Sequence, residues 1–137
     1  MSILGISDPA ASIRPPVIVL DDRPDESIVT VATLADGGFS AVSEREGDAA
    51  LRRARSELSH LMVSELYVPC AEGSCVVSVL KGDRRRLPRL QILVHTRHTA
   101  EVDTDWAFAA GCDALVPKGA SRGVLIRELK RLDGFAA

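Results

Sequence analysis

Four short apolar runs in this 137-residue chain each lead into side chains carrying an acid, a hydroxyl or an ammonium group. Val17-Ile18-Val19-Leu20 runs into Asp21-Asp22, and Leu61-Met62-Val63 into Ser64-Glu65. Ile92-Leu93-Val94 runs into His95-Thr96, and Ala114-Leu115-Val116 into Pro117-Lys118. If the runs are neighbouring parallel strands, three carboxylates, a hydroxyl and an ammonium converge on one edge. Carboxylates gathered in this way repel one another unless one is protonated or paired with Lys118. Such a residue after any single strand is common. All four ends carrying them together is not.

The runs are continuously apolar rather than alternating, as strands buried on both faces of a parallel sheet are. Phe39-Ser40-Ala41-Val42-Ser43 alternates and suits an edge strand, which makes five. Helical patterns lie between them. Pro24 opens the first helix, with Ile28, Val31 and Ala32 on one face. Leu51, Ala54 and Leu58 mark the second, and Val76, Val77 and Leu80 a short third. Residues 100–110 carry the fourth, stopped by Gly111, and Leu125, Leu129 and Leu132 share a face of the last. Strand and helix alternate five times, so the expected architecture is a doubly wound α/β domain with helices on both faces of a five-stranded parallel sheet. Ligands in such a sheet collect outside the carboxyl ends of its strands, where these side chains stand.

The length is that of one domain, read as residues 16–137 behind an N-terminal arm, residues 1–15, ending at Pro15-Pro16. Seventeen Lys+Arg against nineteen Asp+Glu leave a net charge of −2, which argues against a general nucleic-acid or membrane binder. No apolar run approaches a membrane span, and the N-terminus does not read as a secretory signal. The three cysteines, Cys70, Cys75 and Cys112, form neither a disulfide framework nor a CxxC pair and suit a reducing cytoplasm. His60, His95 and His98 share no metal-ligand spacing. The basic stretch Lys81 to Arg86 reads as a solvated loop, with a docking patch for an acidic partner as the sharper alternative.

The segments VIVLDD, LMVSELYVPCAEG, ILVHT and ALVPK together resemble the receiver domain of bacterial two-component response regulators, over residues 16–132. The resemblance implies a flavodoxin-like sheet of strand order 2-1-3-4-5. It implies that Asp21 and Asp22 form the acidic pocket and that Thr96 and Lys118 sense a phosphoryl group. It also implies a Mg²⁺ site made of Asp22, Glu65 and the backbone carbonyl of Tyr67. Pro69 and Gly73 match the family's loop after the phosphoacceptor and set the register, which places Glu65 where the family has its phosphorylated Asp.

That departure changes the expected chemistry. Phosphoryl transfer depends on positioning, and displacements near 1 Å cost an oriented reaction about 100-fold. The extra methylene moves the Glu65 carboxylate outward by about one C–C bond, roughly 1.5 Å. There it can pair with Lys118 and Thr96 without phosphate, as a partial mimic of the modified state. Arg97 stands where the family has a small residue, and either screens the mouth of the site or clamps Glu65. Leu115 stands at the aromatic switch position of the fifth strand. The implied function is a stand-alone, non-enzymatic pseudo-receiver that requires no cofactor. Its partner is a protein, a signalling protein or histidine kinase, met through the fourth helix, fifth strand and fifth helix, where Trp106, Arg122, Arg127, Lys130 and Arg131 lie. A homodimer is compatible with that face. A receiver still phosphorylated by a histidine kinase and a flavodoxin-like small-ligand binder are the competing readings. The second of these lacks a Gly-rich loop after the first strand.

Overall fold

The computed structural model describes residues 14–136, so the first thirteen residues of the expected arm lie outside the described part. Among the described residues, five strands alternate with five helices: β1 (Val17–Leu20), α1 (Pro24–Asp36), β2 (Ala41–Glu44), α2 (Gly47–Glu57), β3 (Leu61–Ser64), α3 (Val76–Lys81), β4 (Gln91–Thr96), α4 (Glu101–Ala109), β5 (Ala114–Pro117) and α5 (Arg122–Ala136). The strands form one parallel sheet in the order β2-β1-β3-β4-β5, the expected doubly wound, flavodoxin-like topology. No described helix is long and apolar enough to cross a membrane.

Successive side chains on a strand point to opposite faces, so each continuous apolar run feeds two cores. Ile18, Leu20, Met62, Ile92 and Val94 face α2, α3 and the buried Ala107 of α4. Val17, Val19, Leu61, Val63, Leu93 and Val116 face Leu34 of α1 and Leu125, Leu129 and Leu132 of α5. The faces expected for α3 and α5 are the buried ones. Gly111, at φ +103°, ends α4 in the left-handed region that glycine enters without strain.

Three local expectations are corrected. β2 begins at Ala41 rather than Phe39 and runs to Glu44. Leu58 lies just past α2 at φ 51° and is 64% exposed, so it packs no core; the inward stripe of α2 is Ala50, Leu51 and Ala54. On α1, Ile28 is 70% exposed, and the buried residues are Ser27, Thr30, Thr33 and Leu34. Helical spacing relates Glu26, Thr30, Thr33 and Leu34 as i, i+4, i+7 and i+8, so the stripe that faces the sheet begins at Glu26.

The loop between β3 and α3 is held from below by α2. A side chain at Gly47 would come within 2.1 Å of the Pro69 carbonyl oxygen, so glycine is what allows the start of α2 to lie against that loop. Asp48 Oδ1 accepts from Ala71 N–H at 2.9 Å, and Arg55 grips Glu72 with two nitrogens at 2.5 and 2.9 Å. Lys81 is no solvated charge. Its Nζ lies 2.8 Å from Asp113 Oδ2 and donates to the Leu90 carbonyl at 3.0 Å, while Arg84, Arg85 and Arg86 are exposed.

Candidate functional site, a lysine among carboxylates

The strand register brings the predicted residues together. Leu20 lies opposite Ser64, and Ser64 opposite Val94, so β1, β3 and β4 present their carboxyl ends side by side. Glu65 N–H donates to the Leu20 carbonyl at 2.8 Å, and Asp21 N–H to the Glu44 carbonyl at 3.1 Å. Lys118 N–H donates to the Thr96 carbonyl at 3.0 Å, which anchors the connection after β5 beside β4.

At the centre stands the Lys118 ammonium, its side chain only 6% exposed. Its Nζ lies 2.5 Å from Asp21 Oδ2, 3.1 Å from Glu26 Oε1 and 3.3 Å from Glu65 Oε2. Three carboxylates from three segments of the chain thus surround one ammonium, with the hydrogen bond to Asp21 the shortest contact. Burial opposes the charge on Lys118, but the hydrogen bonds to Asp21 and Glu26 outweigh it and hold the ammonium pKa above its ordinary 10.5.

The second oxygens of Asp21 and Glu65 are also hydrogen-bonded. Asp21 is 3% exposed, and its Oδ1 accepts from Arg23 N–H at 3.0 Å just before α1 begins. Glu65 Oε1 accepts from Leu66 N–H at 2.7 Å, which turns the side chain back along its own loop. Glu26 Oε1, already on Lys118, also accepts from Arg97 Nε at 2.8 Å. Glu26 Oε2 is buried without a hydrogen bond and lies 3.4 Å from Arg23 Nε. Burial raises the Glu26 pKa, but Lys118 and Arg97 lower it by more, so the carboxyl stays below its ordinary 4.5. His95 stands beside the cluster, with Nδ1 2.8 Å from the Val116 carbonyl oxygen, and burial pushes its pKa below the ordinary 6.5.

Of the site expected from sequence, Asp21, Glu65 and Lys118 come together. Asp22 does not join them; it is exposed and has no ion pair with Lys118, and Glu26 of α1 fills the acidic role beside the lysine. Thr96 is fully buried at the end of β4, but its Oγ1 accepts from His98 N–H at 3.0 Å and makes no hydrogen bond with Glu65. Arg97 does not clamp Glu65; its partner is Glu26, and the guanidinium side chain is 66% exposed across the mouth of the site. Leu115 is half-buried against the core that faces α2 and α3. The Tyr67 hydroxyl donates to Asp103 Oδ1 at 2.5 Å, and its ring meets His98 and Trp106 at centroid distances of 5.1 and 5.4 Å. These contacts tie the Glu65 loop to α4.

Among the described residues, no three His, Cys, Asp or Glu side chains gather as a metal site. Of the ligands the resemblance implies for Mg²⁺, Asp22 is exposed and Glu65 is paired with Lys118.

A parallel five-stranded sheet in this order is the flavodoxin-like fold, the one that receiver domains share. The receiver domain of the sensor histidine kinase PA1611 from Pseudomonas aeruginosa, solved with magnesium in its active-site cleft, superposes with a TM-score of 0.75 at 22% identity. The match covers 87% of this chain and 98% of that one, and at this identity it is a likeness of fold. Among curated proteins, the chain is 25% identical over 118 residues to the transcriptional activator protein ExaE of Pseudomonas putida. It is 29% identical over 104 residues to the alkaline phosphatase synthesis transcriptional regulatory protein PhoP of Bacillus subtilis. These alignments take in 85% and 74% of this chain but only 54% and 41% of the relatives, so the chain spans about half the length of the curated proteins it matches. No family model matches it.

Proposed function

We propose that the chain is a receiver-type signalling module that works by protein–protein contact, with Glu65 standing in for the phosphorylated Asp and phosphotransfer lost. The observation that carries this reading is the Lys118 ammonium, paired at once with Asp21, Glu26 and Glu65 of the chain itself. In a phosphorylatable site, that lysine exchanges carboxylate partners for the transferred group as charge develops on it, and each further carboxylate on it opposes the exchange. Here the lysine is already neutralised, and the receiving oxygen belongs to a longer side chain that is tied to Leu66 N–H. The module is a cytoplasmic, non-enzymatic one in this reading.

The protein partner, a histidine kinase or another signalling protein, meets the face made by α4, β5 and α5. That face carries exposed apolar surface at Val102 (70%) and Trp106 (36%), with Arg122, Arg127, Lys130 and Arg131 exposed beside it. Self-association through the same face is the homodimeric form of the reading.

Intact mass after incubation with acetyl phosphate and Mg²⁺ tests the proposal. Wild type is expected to gain no mass. Glu65→Asp, which shortens the side chain by one methylene, is the variant in which uptake becomes possible. A stable adduct on the wild-type chain returns it to the phosphorylated receivers and overturns the proposal.

A further inference from the structure

We infer that Glu26 is the second half of a built-in anion: with Glu65 it provides the charge of a phosphoryl group from two side chains, and it draws Arg97 over Lys118. The inference rests on the reading of Glu65 as a stand-in for the modified residue, and it extends that reading to a residue on a different element.

A single carboxylate cannot imitate the mark. A phosphoryl group carries about −1.5 to −2 and three acceptor oxygens, whereas Glu65 carries one charge and spends one of its two oxygens on Leu66 N–H. Its remaining oxygen lies 3.3 Å from Lys118, the longest of the three lysine contacts. Glu26 makes up the difference. Its Oε1 sits between two cations, 2.8 Å from Arg97 Nε and 3.1 Å from Lys118 Nζ, and Oε2 faces Arg23 Nε at 3.4 Å. A single oxygen shared by a lysine and an arginine is the arrangement a bound phosphoryl oxygen would adopt.

Glu26 and Arg97 are 71 residues apart in the chain, so the pair joins α1 to the connection between β4 and α4. The Glu26 side chain is only 11% exposed, although it belongs to the first turn of a helix whose Ile28 and Val29 face solvent. Three carboxylates (Asp21, Glu26 and Glu65) meet three cations (Lys118, Arg97 and Arg23) in ion pairs. The cluster is therefore balanced and has no charge to offer an incoming anion.

Calorimetric titration of the full chain with inorganic phosphate tests this. Wild type is expected to bind no phosphate. Glu26→Gln keeps the shape, removes a negative charge that repels the incoming anion, and is expected to bind phosphate at least about tenfold more tightly than the weakest binding the titration would register in wild type. Arg97→Ala added to Glu26→Gln should abolish that gain, because the arginine is then no longer available to the anion. A second readout follows the Arg97 Nε–H resonance by NMR, which should be protected from solvent exchange in wild type and lose that protection in Glu26→Gln. Unchanged phosphate affinity in a folded Glu26→Gln protein overturns the inference. A gain in Glu65→Gln but not in Glu26→Gln also overturns it, while leaving Glu65 as the stand-in. Phosphate binding by wild type overturns it as well. Failure of the underlying reading is recognised separately, by mass gain on the wild-type chain with acetyl phosphate.

Discussion

Lys118→Met is expected to lower stability by about 3–5 kcal/mol at neutral pH, the usual cost of removing one partner from a buried charge cluster. The loss comes less from the missing lysine contacts than from what is left behind. Asp21 (3% exposed), Glu26 and Glu65 would face one another with no central cation, the two glutamate side chains being only 11% and 12% exposed. The pH dependence separates this cause from simple loss of packing. In wild type, the Glu26 pKa is depressed, so its contribution is present above about pH 4.5 and is lost as pH falls through the lower folded value. The Lys118 pKa is raised, so its contribution is present below 10.5 and is lost as pH rises through the higher folded value. In Lys118→Met, the crowded carboxylates are instead pushed upward. The folded variant then binds more protons than its unfolded chain and gains stability as pH falls. Urea denaturation at a series of pH values should show the gap to wild type narrowing on acidification; a gap independent of pH would assign the loss to packing.

Leu66→Ala is expected to cost a similar amount, about 2–5 kcal/mol, for a different reason. Leu66 is fully buried in the core that faces α2 and α3. It directly follows Glu65, and its own N–H holds the Glu65 carboxylate. Truncation opens a cavity beneath the loop and loosens the anchor of the site at the same time. The denaturation midpoint should fall with the slope unchanged. Unlike the lysine variant, its deficit should persist at low pH, because no titrating group is involved. A loss well under 1 kcal/mol would mean that the loop collapses readily around the missing side chain and does not position Glu65 rigidly.

The sheet and the lysine cluster were legible for a shared reason. Strands buried on both faces must be continuously apolar, so VIVL, LMV, ILV and ALV declared themselves, and parallel order then forced Asp21, Glu65 and Lys118 to one edge. The face of α1 was not legible. Ile28, Val31 and Ala32 suggested an apolar stripe; Val31 does pack against the core, yet the helix turns Ser27, Thr30 and Thr33 inward and leaves Ile28, Val29 and Ala32 in solvent. Close to a polar site the inward stripe of a helix need not be apolar, and hydrophobic periodicity is blind to that. Misplacing this face concealed Glu26, and with it the true partner of Arg97. The available signal was positional: Glu26 lies in the first turn of a helix that starts just past the carboxyl end of β1, so its first turn stands at the site.

Lys81 escaped for a related reason, since a basic run in a connection looks solvated until the fold supplies Asp113 as its partner. Asp22 and Thr96 were placed at the right strand ends. Side-chain direction, which the loop backbone decides, turned Asp22 to solvent and Thr96 toward His98 N–H.

The central claim is that the Lys118 ammonium is held by the protein's own carboxylates, and it can be read at the nitrogen itself. Proton–nitrogen correlation of lysine ammonium groups, followed through alkaline pH on the phosphate-free and metal-free protein, should show a slowly exchanging Lys118 signal that titrates above 10.5. A Lys118 ammonium that exchanges as fast as the surface lysines, and titrates at or below that value, would contradict the account.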